Sequence, residues 1–584
     1  MKRKTKTLTS CLRWMTLSLG LTLYAPVLQA QGTQPDPNFH IYLCFGQSNM
    51  EGNAAVTAAN KEGISQRFKV MGICSSDLSH NNRQPGRWYK AVPPLCRWNT
   101  GLTPADYFGR TLCDSLPDSI RVGIVMVALG GASIDAFDKE KYKDEYATCA
   151  DWFRSYMDCY DKNPYGRLVA MAQKAMKNGV IKGILFHQGE TNNGQLTWLP
   201  RVQKVYTDLL ADLGLSPQSV PLLAGEMLRQ EEGGCCWGHN TLIHRLPTFI
   251  PNSFVVSSEG CHGNGTDALH FSNEGYQELG RHYAKTMLDI LQRYGGLSDE
   301  TAWKEQTESI YSEKESLTVL AGGYAELPLM ARMTDGRTAN ICHKATYDVD
   351  DSTRLSVENG YLHPMAETET EVKANYQKSD GTVLQTTLHV TASMFPLKKE
   401  IINPSIYSTG TFNETTQALK TGEYGYGGWI YPTPLNLTHL TDGFIVINLK
   451  RNQSCNATLK LYDSYDYWAK AYEYKLGSGR SFVVPLNSLK KTDGQPLDLS
   501  HICMSGLWSD GKQAIYIQDM YLSTDGKTPA VGIQAAETDG SRRILSRNYY
   551  NMNGQMTSQP QPGLTIVRET LSDGTVRTRK IQAR

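Results

Sequence analysis

Two short polar stretches supply residue types that could act together as a nucleophile and its base. Ser48 lies in GQSNM, directly after an apolar run, so that a glycine turn can expose its hydroxyl at a strand end. Asp267 precedes His270 by three positions, a spacing that lets the carboxylate reach Nδ1 and leaves Nε2 to take the proton of Ser48. Singly, Ser48 could cap a helix and the Asp–His pair could mark a helix start with a surface histidine. Together they predict nucleophilic catalysis by a Ser-His-Asp triad.

Two further stretches could stabilise the negative charge that such a reaction develops. Gly130 and Gly131 follow the apolar run RVGIVMVAL and, lacking Cβ, let backbone N–H groups approach a ligand oxygen. In HQGETN, His187 could be a base or a donor, Gln188 can donate its amide N–H, and Glu190 could orient a neighbour or bind substrate. A tight turn alone would also explain the glycines. Polar side chains directly after an apolar strand must pair with one another or face a cleft, because burying them unpaired is costly.

These stretches need a scaffold that brings strand ends together. Short apolar runs alternate with amphipathic helical stretches, which predicts a parallel sheet covered on both faces, with its site at the carboxyl ends of the strands. The predicted strands are 40–45, 121–129, 181–186, 220–224 and 254–257, and the predicted helices are 104–116, 166–178, 199–213 and one that Ser272 caps and that runs to about Arg293.

The motifs GQSNMEG, GGASI, HQGETN and DALHF resemble, in this order, the four blocks of the SGNH hydrolase superfamily. Within it they are similar to the sialate O-acetylesterase-like group, which includes the acetyl xylan esterases of carbohydrate esterase family 6. The resemblance covers residues 38–296 and implies a flavodoxin-like three-layer α/β fold that works without a metal or organic cofactor. It also implies that Ser48 is the nucleophile, His270 the base and Asp267 its orienting group.

The same resemblance implies an oxyanion hole built from Ser48, from Gly130 or Gly131, and from Gln188. The superfamily's third block usually reads Gly-x-Asn-Asp, so that Gln188 would replace the usual asparagine donor. Supporting or substrate-binding roles are assigned to the neighbours of these residues, which are Gln47, Asn49, His187, Glu190, Trp198 and Trp237.

The composition is that of an ordinary globular protein, with 40% hydrophobic and 20% charged residues among 584. With 59 Lys and Arg against 58 Asp and Glu, the net charge is +1, so no global field favours binding to nucleic acid and no acidic excess indicates disorder. These values exclude a collagen, a coiled coil and a protein with many membrane spans.

The first thirty residues predict a signal peptide and therefore export. Basic residues at the start are followed by an apolar stretch over 14–27, and a small residue at Ala30 suits a signal peptidase. A membrane anchor is the alternative, but this stretch is short for a span, so we expect no span after cleavage. The final segment, 540–584, resembles the C-terminal sorting segments of type IX secretion in Bacteroidetes, or is only a small β unit. We therefore expect the protein to be secreted, periplasmic or located at the cell surface.

After residue 300 the pattern changes to short alternating runs with Gly-containing turns, which is typical of β-sandwiches. Residues 315–395 resemble a bacterial Ig-like domain, and residues 400–524 are similar to galactose-binding-like sandwiches that serve as carbohydrate-binding modules. None of these parts carries a motif that the chemistry needs. We expect them to tether the enzyme to a polymer, the alternative being that they pack on the first domain and complete its core.

The aromatic residues suggest a sugar substrate. Of the tryptophans outside the strands, Trp198 and Trp237 are the cleft candidates, although loop anchoring would explain either one. Neutral net charge suits an uncharged polymer such as acetylated xylan, whereas sialate would favour an arginine to pair its carboxylate, for which Arg83, Arg87 and Arg97 are the candidates.

Export permits disulfides, and the twelve cysteines left after signal cleavage are an even number. A bridge from the Cys235-Cys236 pair to Cys261 is plausible, the alternative being buried free thiols, and no CxxC pair with a histidine at ligand spacing suggests zinc. The sequence therefore predicts a secreted serine esterase that removes acetyl groups from plant polysaccharide, most simply xylan. The alternatives are a sialate O-acetylesterase and a non-catalytic glycan-binding protein on a decayed esterase fold.

Overall fold

The computed structural model describes residues 34–293, 306–404, 410–422, 425–454, 457–465, 470–509, 513–530, 544–551, 556–557, 563–571 and 576–583. The predicted signal peptide lies outside these residues, and so does much of the predicted sorting segment. Among the helices that are described, none combines the length and the apolar character needed to cross a bilayer.

The first region, residues 34–293, is built around one seven-stranded sheet. Its strands are β1 (Asp36–Gly46), β2 (Phe68–Met71), β3 (Trp88–Lys90), β4 (Arg121–Ala128), β5 (Gly179–His187), β6 (Leu222–Gly225) and β7 (Ser253–Val256). Their order is β3-β2-β4-β1-β5-β6-β7, and all pairs are parallel except the antiparallel edge pair β2–β3. The five predicted strands are all present; β2 and β3, which were not predicted, are short and each contains a lysine.

Helices cover both faces of this sheet. They are α1 (Ser48–Glu51), α2 (Asp77–Asn81), α3 (Pro104–Ser115), α4 (Tyr142–Thr148), α5 (Asp151–Asp158), α6 (Pro164–Ala175), α7 (Trp198–Leu213), α8 (Asn240–Ile243), α9 (Leu246–Phe249) and α10 (Asn273–Arg293). The central strand β1 explains the layering, because its alternate side chains enter two different cores. Leu43 packs with the core that includes α6 and α7, whereas Tyr42 packs with the core that includes α3 and α10.

The strand order also fixes where a site can form. The chain passes from β1 to β2 and β4 on one side of the sheet and then to β5, β6 and β7 on the other side. In open parallel sheets such a reversal leaves a crevice at the carboxyl ends of the strands. The three segments that leave β1, β4 and β5 therefore meet at one point of the sheet edge.

The rest of the chain is β-rich, as predicted. Three sheets formed by β8–β17 come first, and the strands begin at Thr307, before the predicted boundary at 315. These strands are β8 (Thr307–Ser312), β9 (Ser316–Leu320), β10 (Ala325–Glu326), β11 (Leu329–Met333), β12 (Thr338–Asn340), β13 (Thr346–Val349), β14 (Leu355–Glu358), β15 (Tyr361–Pro364), β16 (Thr368–Gln377) and β17 (Val383–Ser393).

Two sheets of five and four strands follow, and a four-stranded sheet ends the chain. Their strands are β18 (Thr411–Asn413), β19 (Ala418–Lys420), β20 (Tyr426–Leu435), β21 (Phe444–Ser454), β22 (Thr458–Tyr462), β23 (Tyr472–Lys475), β24 (Ser478–Pro485), β25 (Ile502–Trp508), β26 (Ala514–Ser523), β27 (Ile544–Tyr550), β28 (Met556–Thr557), β29 (Gly563–Leu571) and β30 (Val576–Ala583).

The β-rich region packs directly on the first region. Ile430 on β20 and Met504 on β25 belong to the same buried cluster as Leu246 and Phe249 on α9. Arg245 donates from Nη2 to the carbonyl of Ile430 at 3.4 Å across this junction. The apolar core of the first region therefore continues into the β-rich region, which favours the second of the two alternatives for that region.

Candidate active site

The turn after β1 presents Ser48 at the sheet edge. Gly46 has φ +147, and a Cβ there would lie 2.0 Å from the carbonyl oxygen of His187 on the neighbouring strand β5, so only glycine fits. The N–H of Gln47 donates to that same carbonyl at 2.9 Å. This close approach of two strand ends places Ser48 at the start of the short helix α1.

Ser48, His270 and Asp267 form a continuous hydrogen-bonded relay. The Oγ of Ser48 is 2.9 Å from Nε2 of His270, and Nδ1 of His270 is 2.9 Å from Oδ2 of Asp267. An ionised carboxylate only accepts hydrogen bonds, so Nδ1 carries the proton and Nε2 accepts from the serine hydroxyl. This is the arrangement in which the imidazole can take a proton from Ser48.

Asp267 is held in place by more than its histidine partner. Its Oδ1 accepts from the backbone N–H groups of Leu269 and His270, and its Oδ2 accepts from Nδ2 of Asn264 at 3.0 Å. Partial burial raises the pKa of Asp267, but the hydrogen bonds from His270, Asn264 and the backbone outweigh it and keep the pKa well below its usual range. Asp267 therefore stays ionised wherever the histidine can act as a base.

Gly130, rather than Gly131, lies beside the nucleophile. A Cβ on Gly130 would lie 3.7 Å from Cβ of Ser48 and 3.0 Å from Oε2 of Glu51. Gly131 has φ +77, and a Cβ there would lie 2.7 Å from the ring of Trp152. The positive φ and the contact with Trp152 require glycine at position 131, whereas Gly130 is the one whose Cβ position lies next to Ser48, which makes its N–H the candidate oxyanion donor.

The geometry does not fit the prediction that Gln188 is an oxyanion donor. Its amide is 1% exposed, and its oxygen accepts from Nε1 of Trp198 at 2.5 Å, which fixes the orientation because an indole only donates. Its Nε2 lies 2.6 Å from Oδ1 of Asn192 and 3.2 Å from the carbonyl of Ala132. Both amide protons thus have protein acceptors, and Gln188 supports the loop instead of facing the cleft.

Gln47 orders the loop that follows β5. Its Oε1 accepts from the N–H of Gly189 at 3.3 Å and from the N–H of Thr191 at 3.2 Å. The side chain of Gln188 also donates to it at 3.3 Å. The residue before the nucleophile therefore fixes the spacing between the first and third motifs.

Asn49 and Glu190 support the histidine loop from behind. Nδ2 of Asn49 donates to Oε1 of Glu190 at 2.6 Å and to the carbonyl of Leu269 at 3.0 Å, while its oxygen accepts from the hydroxyl of Tyr276 at 2.7 Å. Glu190 thus reaches the loop of His270 only through Asn49. In this geometry Asp267, and not Glu190, orients the imidazole.

His187 is not placed to act as the base. Its ring is fully buried, and Nε2 donates to the carbonyl of Glu226 at 3.0 Å. Burial lowers the pKa of His187, which keeps the ring neutral. Nδ1 faces Oε1 of Glu190 at 3.9 Å. His187 is therefore a core histidine that links the ends of β5 and β6.

The arginines that we considered for a sialate carboxylate are largely committed elsewhere. Arg97 is 2% exposed and pairs with Glu51, while its Nη1 donates to the carbonyl of Ala128 at 2.9 Å. Arg83 donates to the carbonyls of Val92 and Pro94. Arg87 is the exposed one of the three. The Glu51–Arg97 pair lies next to Gly130, since a Cβ on Gly130 would be 3.0 Å from Oε2 of Glu51. Sequence reasoning missed this pair, although Glu51 lies in GQSNMEG.

The two predicted cleft tryptophans lie away from the relay. Trp198 is fully buried, stacks on Phe186 and serves as the donor to Gln188. Trp237 lines a cavity of about 660 Å³ between the two regions, together with Glu226 and Lys399; none of the triad residues lines it. Trp152 is instead 57% exposed and packs over Gly131, which makes it the aromatic side chain beside the site. Nothing in the sequence singled out Trp152 except that it lies in a segment connecting two strands.

The proposed bridge between Cys235-Cys236 and Cys261 is not formed. None of the described cysteines forms a disulfide, and Cys261 is buried with its sulfur 3.9 Å from Nδ1 of His282. The two vicinal sulfurs lie 3.6 Å apart. Even so, this loop contacts the site, because the N–H of Cys235 donates to the carbonyl of Ala268, inside the Asp267–His270 turn.

Comparison with known proteins agrees with this geometry at the level of the family. Residues 38–289 match the family described as carbohydrate esterase, sialic acid-specific acetylesterase. The matched segment contains Ser48, Gly130, Asp267 and His270, and it is less than half of the chain. The resemblance read from the motifs is thereby confirmed as one to carbohydrate esterases of the sialate acetylesterase type. The acetyl xylan esterase specificity stays a prediction.

Solved structures similar to this chain are distant in sequence. A protein from Arabidopsis thaliana is 19% identical with a TM-score of 0.33, and the match covers 44% of this chain and 99% of that one. NanS is 16% identical with a TM-score of 0.35 over 44% of this chain and 99% of its own. A carbohydrate acetylesterase from Xanthomonas citri is 15% identical with a TM-score of 0.30, over 60% of this chain and 79% of its own.

Proposed function

We propose that this protein is a serine esterase that removes O-acetyl groups from carbohydrate. The observation on which this rests is the relay in which Ser48, His270 and Asp267 are joined by two hydrogen bonds of 2.9 Å. The family match over residues 38–289 supports the same reaction class. Oxyanion donors, a nucleophile and a base are all that hydrolysis of an acetyl ester requires.

In the first half-reaction, Oγ of Ser48 attacks the acetyl carbonyl carbon while Nε2 of His270 takes the hydroxyl proton. The carbonyl oxygen becomes an oxyanion, for which the backbone N–H groups of Ser48 and Gly130 are the donors. Collapse of the tetrahedral intermediate breaks the bond to the sugar oxygen, which leaves with the proton from His270. An acetyl group remains on Ser48.

In the second half-reaction a water molecule gives its proton to His270 and attacks the acetyl-serine. The same two N–H groups stabilise the second oxyanion, and acetate leaves as Ser48 recovers its proton from the imidazole. Asp267 keeps the imidazole in the tautomer that both steps need, which is why its low pKa matters for the chemistry.

Trp152 supports a sugar as the alcohol part of the ester. Its exposed ring lies against Gly131, next to the glycine that faces Ser48, so the apolar face of a pyranose could lie on it while an acetyl group enters the site. Because Arg83 and Arg97 are committed inside the protein, we favour an uncharged acetylated polysaccharide such as xylan. O-acetylated sialate is the second candidate, favoured by the description of the matched family.

We also propose that the protein is exported, supported by the basic start and the apolar stretch at 14–27. Binding of polysaccharide by residues 400–524, and use of residues 540–584 as a sorting segment for an export machinery, belong to the same proposal. An extracellular place agrees with a polymeric substrate.

The test is acetate release from acetylated xylan, from O-acetyl sialic acid and from 4-nitrophenyl acetate, with Ser48→Ala as the blank. We expect turnover of 4-nitrophenyl acetate and faster turnover of xylan than of the sialate. Preference for the sialate would replace xylan by the second candidate. No acetate from any of the three would leave a glycan-binding protein on an inactive esterase fold.

A further inference from the structure

Three segments of the first β-rich sheets meet at a point far along the chain from the esterase motifs. Glu326 ends strand β10, Cys342 and His343 lie in the turn between β12 and β13, and Asn359 lies in the turn between β14 and β15. One ligand atom from each of Glu326, Cys342 and His343 lies within 4.8 Å of the other two.

The three side chains offer oxygen, sulfur and nitrogen, the donor set that suits a borderline-soft cation such as Zn²⁺. The Oε1 of Glu326 and Sγ of Cys342 are 3.3 Å apart. Two ligands at about 2.0 and 2.3 Å from a tetrahedral zinc lie roughly 3.5 Å from each other, so this pair already has nearly the required spacing. Three protein ligands would leave one position of the metal open.

The surroundings orient these groups as the partners of metal ligands usually do. Nδ1 of His343 donates to the carbonyl of Asn359 at 2.6 Å, the kind of hydrogen bond by which the ring of a metal-binding histidine is usually oriented. Asn340 fixes the other two ligands, because its Nδ2 donates to Oε1 of Glu326 at 3.0 Å and its oxygen accepts from the N–H of Cys342 at 2.9 Å. The carboxylate, the backbone of Cys342 and the imidazole are thus each held by a hydrogen bond of a neighbouring group.

The backbone around the cluster is also fixed. Gly360 has φ +81, and a Cβ there would lie 2.5 Å from the backbone carbonyl of Cys342 and 2.7 Å from its Cβ. Only glycine permits this contact between the two turns. The hydroxyl of Tyr347 donates to the carbonyl of Cys342 at 2.6 Å from the other side.

One of the three ligands, His343, faces a cavity at the junction of the two regions. A cavity of about 310 Å³ is lined by Asn340, His343 and Asn359 on one side and by Lys182, Ser219 and others of the first region on the other. Cys342 is buried, whereas Glu326 and His343 are half-buried. The cluster therefore combines a buried thiol with two half-buried ligands, one of which faces a cavity from which an ion could enter.

We propose that Glu326, Cys342 and His343 bind one Zn²⁺ in the β-rich region, with water in the open position. The ion would join β10 to the turn of Cys342 and His343, next to the surface on which the first region packs. The site is independent of the esterase proposal, since it shares no residue with the Ser48 relay.

The test uses the full chain after removal of metals with a chelator. Equilibrium dialysis should give about one bound Zn²⁺ per chain, Co²⁺ should produce a thiolate-to-metal charge-transfer band, and zinc should raise the unfolding temperature. Cys342→Ser should abolish the Co²⁺ band, and Glu326→Gln should weaken zinc binding at least about tenfold. Hydrolysis of 4-nitrophenyl acetate should not depend on zinc, which separates this site from the esterase site.

Two matched controls are Cys503→Ser, at a buried cysteine of the next sandwich, and His363→Asn, at a histidine of the same sheets. Both should bind zinc and show the Co²⁺ band as the unaltered chain does. If Cys342→Ser does not fold, Glu326→Gln and His343→Asn decide the matter. No stoichiometric zinc, or the same affinity in the unaltered chain and in these variants, would overturn the proposal.

Discussion

The first region and the β-rich region differ in where their polar groups lie. In the first region, buried polar side chains such as Gln47, Asn49 and Gln188 gather at the carboxyl ends of β1 and β5 and hydrogen-bond one another. In the β-rich region, polar residues mostly occupy exposed strand faces and turns. The chemistry is therefore local to one sheet edge, but the apolar core is shared, because Ile430 and Met504 pack with Leu246.

This difference shows that function and stability are distributed differently in the molecule. Substitutions of Ser48, Asp267 and Gly130 at the sheet edge of the first region should change the rate of hydrolysis and leave folding nearly unchanged. Substitutions at the junction should change stability without touching the triad. Substitutions can test whether the rate of hydrolysis and the stability of the fold separate in this way.

Ser48→Ala should remove nearly all turnover, because the nucleophile is lost. Removal of a triad nucleophile costs on the order of 10⁶-fold in kcat. The measurement is steady-state hydrolysis of 4-nitrophenyl acetate by purified protein whose circular dichroism matches that of the unaltered chain. Ser79→Ala, at an exposed serine of α2, is the matched control and should retain full activity. Turnover above one percent in Ser48→Ala would end the assignment of the nucleophile.

Asp267→Asn should lower kcat about 10⁴-fold, because an amide cannot hold the imidazole in the required tautomer. Glu190→Gln is the informative partner, since Glu190 contacts Asn49 and not His270. It should cost far less activity. The pH profile of kcat/KM for the unaltered chain should show a single base and no carboxylate limb in mildly acidic solution, given the low pKa of Asp267. A severe Glu190→Gln with a mild Asp267→Asn would reverse the two roles.

Gly130→Ala should lower kcat roughly 10²–10³-fold, because the added methyl group would meet Oε2 of Glu51 at 3.0 Å and displace an oxyanion donor. Gln188→Ala should instead act mainly on stability, by about 1–3 kcal/mol, since it leaves the buried Nε1 of Trp198 without its acceptor. Kinetics and thermal unfolding of both variants separate the two effects. A large fall in kcat for Gln188→Ala, with unchanged stability and KM, would restore its predicted role as donor.

Ile430→Ala should destabilise the whole chain by about 2–5 kcal/mol, because Ile430 is fully buried at the junction. If the two regions unfold together, esterase activity is lost on heating at the same lowered temperature as the β structure. Val483→Ala, at a largely exposed position of β24, is the control. A fragment ending at residue 293 that stays soluble and keeps the stability of the full chain would show that the regions are independent, as the tethering view requires.

Glu367→Gln should alter the pH dependence of stability. Burial of Oε2 raises the pKa of Glu367 to about 7, despite hydrogen bonds from Met394 and Ser393. The folded state thus binds a proton that the unfolded state releases near its ordinary value of 4.5, so stability falls as the pH rises from there to about 7. The variant should lack this fall and be more stable at pH 8 by ~1–3 kcal/mol. Glu369→Gln, at an exposed neighbour, should keep the fall.

Much of the first region could be predicted from its sequence. The segments that form β1, β4, β5, β6 and β7 are long or apolar enough to be recognised in the sequence. The helix that begins after Ser272 is recognised by its capping serine and by its apolar periodicity. The strands β2 and β3 could not be found, because each is short and contains a lysine, Lys69 or Lys90, whereas the equally short β6 and β7 contain no charged residue. Ser48, Asp267 and His270 were found because each motif is contiguous in the chain and its spacing carries the chemistry.

What the sequence determined, then, is the set of chemical groups and the strand ends to which they attach. Periodicity and turn glycines are local properties, so they can be recognised from the sequence alone. The resemblance to carbohydrate esterases rests on the same contiguous motifs.

Only the tertiary structure decided which of these groups face the cleft. Gln188 turns inward because Trp198 and Asn192 satisfy its amide, Arg97 is bound by Glu51, and Trp152 rather than Trp198 lies beside the site. The physical reason is that a buried polar group goes where its hydrogen bonds can be satisfied, and those partners come from segments far apart in the chain. The same holds for Glu326, which meets Cys342 and His343 only when the sheets have formed.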